Sequence, residues 1–120
     1  MGRPSNKQRN REKRINAEIE RLLGIFSDLD ENKLNTLKPI INNAAFCAIS
    51  LEELEKELVV KGFSEEYQNG ENQKGRKKTV EADLHLSYSK TLQADIKILV
   101  ESVPPAMKKS KLEALRATDD

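Results

Sequence analysis

The sequence predicts an all-α fold in which long antiparallel helices form a hairpin or bundle behind a disordered basic N-terminal arm. Three observations carry this reading. Apolar residues recur at helical spacing through most of the 120 residues. Aromatic residues make up only 4% and Trp is absent, whereas strands favour aromatic and β-branched side chains. Gly and Pro stand where the apolar stripes stop, at Gly62 and Pro104-Pro105.

Residues 1 to about 8 mix Gly, Pro, Ser and Asn with no apolar period, so they are expected to be disordered. A helix follows. Its stripe is Ile15, Ile19, Leu22, Leu23, Phe26 and Leu29, and a turn is expected over Asp28 to Asn32. Asp30 is placed to cap a second helix running to Lys61, with Leu34, Leu37, Ile41, Ala44, Ala45, Ala48, Leu51, Leu54 and Leu58 facing inward. Pro39 must bend or restart that helix. The Ser50-x-x-Glu53 pattern offers a break, but Ala- and Glu-rich sequence on both sides favours a continuous, kinked helix. Gly62 is the expected C-terminal cap.

Residues 63–78 lack an apolar stripe and contain Gly70, Gly75, Asn69 and Asn72, so they read as a loop. A third helix is expected to start at an N-cap Thr79, with the stripe Val80, Leu84, Tyr88, Leu92, Ile96, Leu99 and Val103, and to end before Pro104-Pro105. Met107, Leu112 and Leu115 suit a short last helix before a fraying end. The chain thus divides into an arm (1–14), a helical oligomerisation domain (15–105, with the loop 63–78) and a short C-terminal helix or tail (106–120). A chain so short and 34% charged is marginal as a monomer. Self-association through Leu84, Tyr88, Leu92, Ile96 and Leu99 is expected to supply the missing burial.

Charge is unevenly distributed. Arg3, Lys7, Arg9, Arg11, Lys13 and Arg14 face only Glu12 within the first 14 residues, while the whole chain carries +1. A second group, Lys74, Arg76, Lys77 and Lys78, sits in the loop. Cations that neutralise phosphates release condensed counterions, so DNA is the expected partner and the ten named cations its expected contacts. Gly2-Arg3-Pro4 also resembles the core of an AT-hook, in which an extended Arg enters a narrow minor groove. The plainer alternatives are a solubilising tail and an ordinary charged loop. The basic residues lie at a helix N-terminus, where the dipole disfavours them and an anion would offset the cost.

Catalysis finds no comparable support. His85 is the one histidine, between Leu84 and Leu86, and Cys47 is the one cysteine, among apolar residues. No Ser-His-acid or Cys-His set, and no GxxxxGK[ST], HExxH or CxxC, can be assigned. No enzyme activity, cofactor or metal is expected. One cysteine allows no disulfide within the chain, and no stretch reaches the roughly 20 apolar residues of a membrane span, so a cytoplasmic, non-membrane protein is expected.

Two stretches together resemble a known family. The run Asn43-Ala44-Ala45-Phe46-Cys47-Ala48-Ile49-Ser50-Leu51-Glu52-Glu53-Leu54 is followed by Gly62-Phe63 and then by Tyr67-Gln68-Asn69-Gly70-Glu71-Asn72-Gln73-Lys74-Gly75. With the late helix around Tyr88 to Leu99 and the MGRP start, this is similar to the P27-like terminase small subunits of phages and prophages over about residues 15–105. The resemblance implies a protein that binds phage DNA at the packaging start, assembles into a homo-oligomeric ring, and assists the terminase large subunit in the host bacterial cytoplasm. The large subunit carries the ATPase and nuclease. A clear N-terminal helix-turn-helix, found in many small terminases, is not assignable here, since the apolar second helix reads as core. The alternative is a phage-encoded protein-interaction or transcription-regulatory module.

Overall fold

A computed structural model describes residues 2–68 and 74–117. Met1, the turn residues 69–73 and the end at 118–120, where fraying is expected, lie outside the described residues. The elements in chain order are helix α1 (Asn6–Ile25), helix α2 (Glu31–Lys61), strands β1 (Ser64–Gln68) and β2 (Lys74–Lys78), helix α3 (Val80–Glu101), a 3-10 turn (Pro105–Met107) and helix α4 (Lys108–Arg116). The chain is mostly helical, as the apolar periodicity requires. A two-stranded antiparallel hairpin makes it not purely all-α.

Helix α1 begins earlier than its apolar stripe. The Ser5 hydroxyl accepts from the Gln8 N–H at 3.1 Å and the Gln8 side chain accepts from the Ser5 N–H at 2.7 Å, a complete capping box. Residues 6–14, expected within a flexible arm, are therefore helical and continuous with the rest of α1. Ser5-x-x-Gln8 is the local signal for this start, and the absence of apolar residues before Ile15 masks it in the sequence.

Asp30 caps α2, its carboxylate accepting from the Lys33 N–H at 2.9 Å. The helix then runs 31 residues without a break at Pro39 or Ser50. Pro39 and Asn35 both lie on the exposed face, so the carbonyl that Pro39 leaves without a donor is open to water. Gly62 ends the helix at φ 86°, its N–H donating to the Leu58 carbonyl at 2.8 Å.

α2 is the central element, with α1 and α3 each antiparallel to it. Leu22 of α1 and Phe26 at its C-cap, Leu37, Ile41, Ala44 and Ala45 of α2, Leu99 of α3 and Val103 just beyond it form one buried cluster. The small residues Ala44 and Ala45 allow close helix approach there. Cys47, Leu51, Leu54 and Leu58 extend the buried face of α2 away from this cluster. α4 folds back against both α1 and α3, contributing Leu115 to the cluster's margin. The molecule is elongated, 63 × 39 × 28 Å. Among the described residues no helix is long and apolar enough to cross a membrane.

The stretch 63–78, expected to be a loop, is the correction in this region. β1 and β2 pair in the register Ser64↔Lys78, Glu65↔Lys77, Glu66↔Arg76, Tyr67↔Gly75 and Gln68↔Lys74. Opposite charges face each other across the ladder, which supports strand pairing without any apolar stripe. The Tyr67 ring lies over Gly75, so closely that a Cβ there would stand 2.8 Å from it. A glycine in the strand is thereby covered by the aromatic ring opposite.

Candidate nucleic-acid interface

The capping box at Ser5 turns the basic arm into a helical array, and helical spacing sorts its cations by face. Lys7, Arg11 and Arg14 lie three or four residues apart and, with Asn10, line a groove against Glu53, Lys56 and Glu57 of α2. Arg9 and Lys13, four residues apart, flank a shallow outward surface with Glu12, Asn16 and Glu20. Arg3 precedes the helix and is exposed.

The inward cations are engaged. Arg11 donates through Nε to both carboxylate oxygens of Glu53, at 2.8 and 2.9 Å, and its terminal nitrogen lies 2.7 Å from Oε2. Arg14 pairs with Glu52. The hydrogen bond to Glu53, then its charge, holds the Arg11 guanidinium above its ordinary pKa. These carboxylates stand beside the N-terminal half of a helix that has no acidic residue in its first turn. They meet from within the chain some of the need for an anion that the clustered cations create.

The second basic segment is balanced in a similar way. Arg76 donates to the Ser64 hydroxyl at 2.9 and 3.2 Å and lies 3.8 Å from Glu66. Lys77 lies 3.8 Å from Glu65, and Lys78 lies 3.6 Å from Asp83 on α3. All three cations are more than half exposed, so these are loose surface pairs that contribute little to stability. Lys74 opens β2 opposite Gln68.

The sequence-predicted cations are thus split by the fold. Arg11, Arg14, Arg76, Lys77 and Lys78 have carboxylate partners, while Arg3, Lys7, Arg9 and Lys13 are exposed. Both basic segments nevertheless come to one end of the molecule. α1 runs antiparallel to α2, bringing Arg11 to Glu53 and Lys7 to the Glu53–Glu57 groove, about one turn before α2 ends at Lys61 and the hairpin departs. The role of Glu52, Glu53, Glu65 and Glu66 is not legible in the sequence, where they read as ordinary acids of a helix face and a loop.

The same end exposes apolar surface. Val59, Val60, Phe63 and Val80 are 87%, 89%, 69% and 64% exposed, unusual for such side chains. The stripe expected to drive self-association is divided. Leu99 is fully buried inside the chain's own core, Leu92 packs against that core, and Leu92, Ile96 and Leu99 line one groove with Leu22 and Leu115. Leu84 is 42% exposed, and Tyr88 makes a tilted ring contact with the half-exposed Phe46 at 6.0 Å. His85 lies 3.3 Å from the Glu55 carboxylate on an open face. Cys47 is buried, and burial, followed by the charge of Asp95, pushes its thiol pKa up.

The fold and the site define a class: a helical hairpin protein that presents cations and apolar side chains at one end. No protein-family model, curated protein or solved structure matches the chain. What it can do is carried by its own residues and their arrangement.

Proposed function

We propose that the chain is a non-enzymatic DNA-binding protein of the terminase small-subunit kind, which grips DNA, self-associates and assists a large subunit in genome packaging. The observation that carries the proposal is the convergence of two basic segments at one end of the hairpin, with Arg3, Lys7, Arg9 and Lys13 exposed there. A duplex laid across that end meets cations from α1 first and from β2 second. Its phosphates displace the loose carboxylates of the hairpin at small cost, because exposed pairs contribute about 0–1 kcal/mol each. The resemblance of residues 15–105 to P27-like small terminases points the same way. Assembly would use Leu84 and Tyr88, with Phe46 beside them, rather than Leu99.

The test is DNA binding as a function of salt. Replacing Arg3, Lys7, Arg9 and Lys13 together by Ala is expected to flatten the slope of log affinity against log salt, by up to about 0.9 for each phosphate no longer neutralised. Equal binding by variant and parent at low salt, or no binding by the parent, overturns the proposal.

A second reading is favoured by one observation, the exposed apolar group Val59, Val60, Phe63 and Val80. In that reading the end of the hairpin docks a protein and the cations only steer the encounter. Loss of partner capture in Val60→Ser/Phe63→Ser, with DNA affinity absent throughout, would establish it.

A further inference from the structure

We propose that Glu52 and Glu53 form an autoinhibitory clasp, occupying Arg11 and Arg14 in the free protein and yielding them to a polyanion only in competition. The inference rests on the DNA-binding reading above. Its geometric basis is independent of that reading. Arg11 is gripped by Glu53 through both carboxylate oxygens, and Arg14 is paired with Glu52 one helical turn further on. Bidentate carboxylate geometry satisfies the same guanidinium edge that a phosphate would engage. The two side chains are still 42% and 33% exposed, so an incoming phosphate can reach them without unfolding the helix. Glu57 adds a further negative charge felt by Arg11. Of the six cations before Ile15, the clasp withholds two and leaves Arg3, Lys7, Arg9 and Lys13 to meet DNA first.

The clasp also offsets the repulsion among the cations of α1. Arg11 and Arg14 share α1 with Lys7, Arg9 and Lys13, and the Glu52–Glu53 pair supplies the opposing charge across the interface. DNA phosphates can take over that service, so release of the clasp need not cost helical order once DNA is bound. The protein therefore binds DNA less tightly than its basic residues allow, and its affinity is set by a contest between internal carboxylate and external phosphate.

The experiment uses the full chain, the variant Glu52→Gln/Glu53→Gln and a control, Glu31→Gln/Glu101→Gln, which removes equal charge at exposed positions distant from Arg11 and Arg14. Binding of a mixed-sequence duplex of about 30 base pairs is measured across a salt series. The clasp variant is expected to bind at least about tenfold more tightly at low salt and to steepen the log–log salt slope by up to about 1.8, two further phosphate contacts at about 0.9 each. The control is expected to gain less than about threefold and to keep the parent slope, because charge alone adds no contact. Equal gains in both variants, or binding by the parent with no gain in the clasp variant, overturn the clasp alone. Absence of binding by every form overturns the DNA reading and the clasp with it. Hydrogen exchange without DNA reads the contact separately: faster exchange over residues 9–14 in the clasp variant supports it, and unchanged exchange counts against it.

Discussion

Thr79 shows how one side chain can join three elements. It is fully buried, its hydroxyl donates to the Gly62 carbonyl at 3.0 Å and accepts from the Ala82 N–H at 3.2 Å, and its own N–H donates to the Phe63 carbonyl at 3.1 Å. The residue thus caps α3 and ties it to the end of α2 and the root of the hairpin. Thr79→Val keeps the volume but leaves the part-buried Gly62 carbonyl and a helix N–H without their partner. It is expected to lower unfolding free energy by about 1–2 kcal/mol in urea titration, with Thr79→Ser costing less. Gly62 beside it has open space around it, so the penalty of Gly62→Ala would come from its backbone, at φ 86° and ψ 170° in a region almost confined to glycine, rather than from a clash, at about 1–3 kcal/mol. Cys47 carries a different expectation. Its burial and raised pKa should make it alkylate slowly in the native protein and quickly in denaturant, and fast native alkylation would show that the α2–α3 seam opens.

At the scale of elements, α4 is held by reciprocal capping. Lys111, only 12% exposed, donates to the Ile25 carbonyl at the end of α1 at 2.7 Å and pairs with Asp28 at 2.8 Å. In return Arg21 of α1 donates to the carbonyls of Ala114, Leu115 and Ala117 at the end of α4, at 3.3–3.5 Å. α1 has no basic residue in its last turn, so the cation that caps its carbonyl end comes from α4. The Lys111 hydrogen bond holds the Asp28 carboxyl below its ordinary value of 3.8. A depressed carboxyl pKa stabilises the fold above the unfolded value, and that contribution is lost as pH falls through the folded value. α4 is therefore expected to loosen slightly on acidification, the Lys111–Ile25 and Arg21 contacts still holding it, and Asp28→Asn to produce the same loosening at neutral pH while removing that step from the pH profile. Hydrogen exchange of residues 108–116 against pH checks both outcomes. The hairpin rests on a close approach instead: Gly75→Ala is expected to push the Tyr67 ring off β2, read as a shift of its ring resonances and weaker strand pairing.

For the whole molecule, the α3 stripe is divided: its C-terminal part lies in the core, and its N-terminal part is left for the self-association proposed above. Leu99 belongs to the core with Ile41 and Phe26, all at 0% exposure. Leu99→Ala should cost about 2–5 kcal/mol of stability. Leu84 is largely outside the core, and with Val80 and Tyr88 it continues one face of α3 at four-residue steps. Leu84→Glu is expected to lower the mass in light scattering and to make the unfolding midpoint independent of protein concentration, while leaving the helical content unchanged. A parent protein that is already monomeric at tens of micromolar would overturn the self-association proposal, and unfolding of the Leu84 variant would place that residue in the core after all.

By itself the sequence determined the order of the helices and most of their ends. Asp30 and Thr79 as N-caps, Gly62 as the C-terminal stop and the prolines after α3 act through backbone hydrogen bonding within a few residues. The uninterrupted α2 followed from local composition too, because a solvent-facing proline bends a helix more readily than it breaks one. Three features depended on the tertiary structure. The hairpin exists because Glu65 and Glu66 face Lys77 and Arg76, a cross-strand pairing that no single-segment period expresses. Helical order in the basic arm had a local sign in Ser5 and Gln8, yet its charge cost is eased by Glu52 and Glu53, some 40 positions away along the chain. The α3 stripe repeats evenly in sequence, but α1 and α4 flank only one end of it, so Leu99 is buried and Leu84 is not. Periodicity records which face of a helix is apolar; only the packing of its neighbours decides which part of that face is left for a partner.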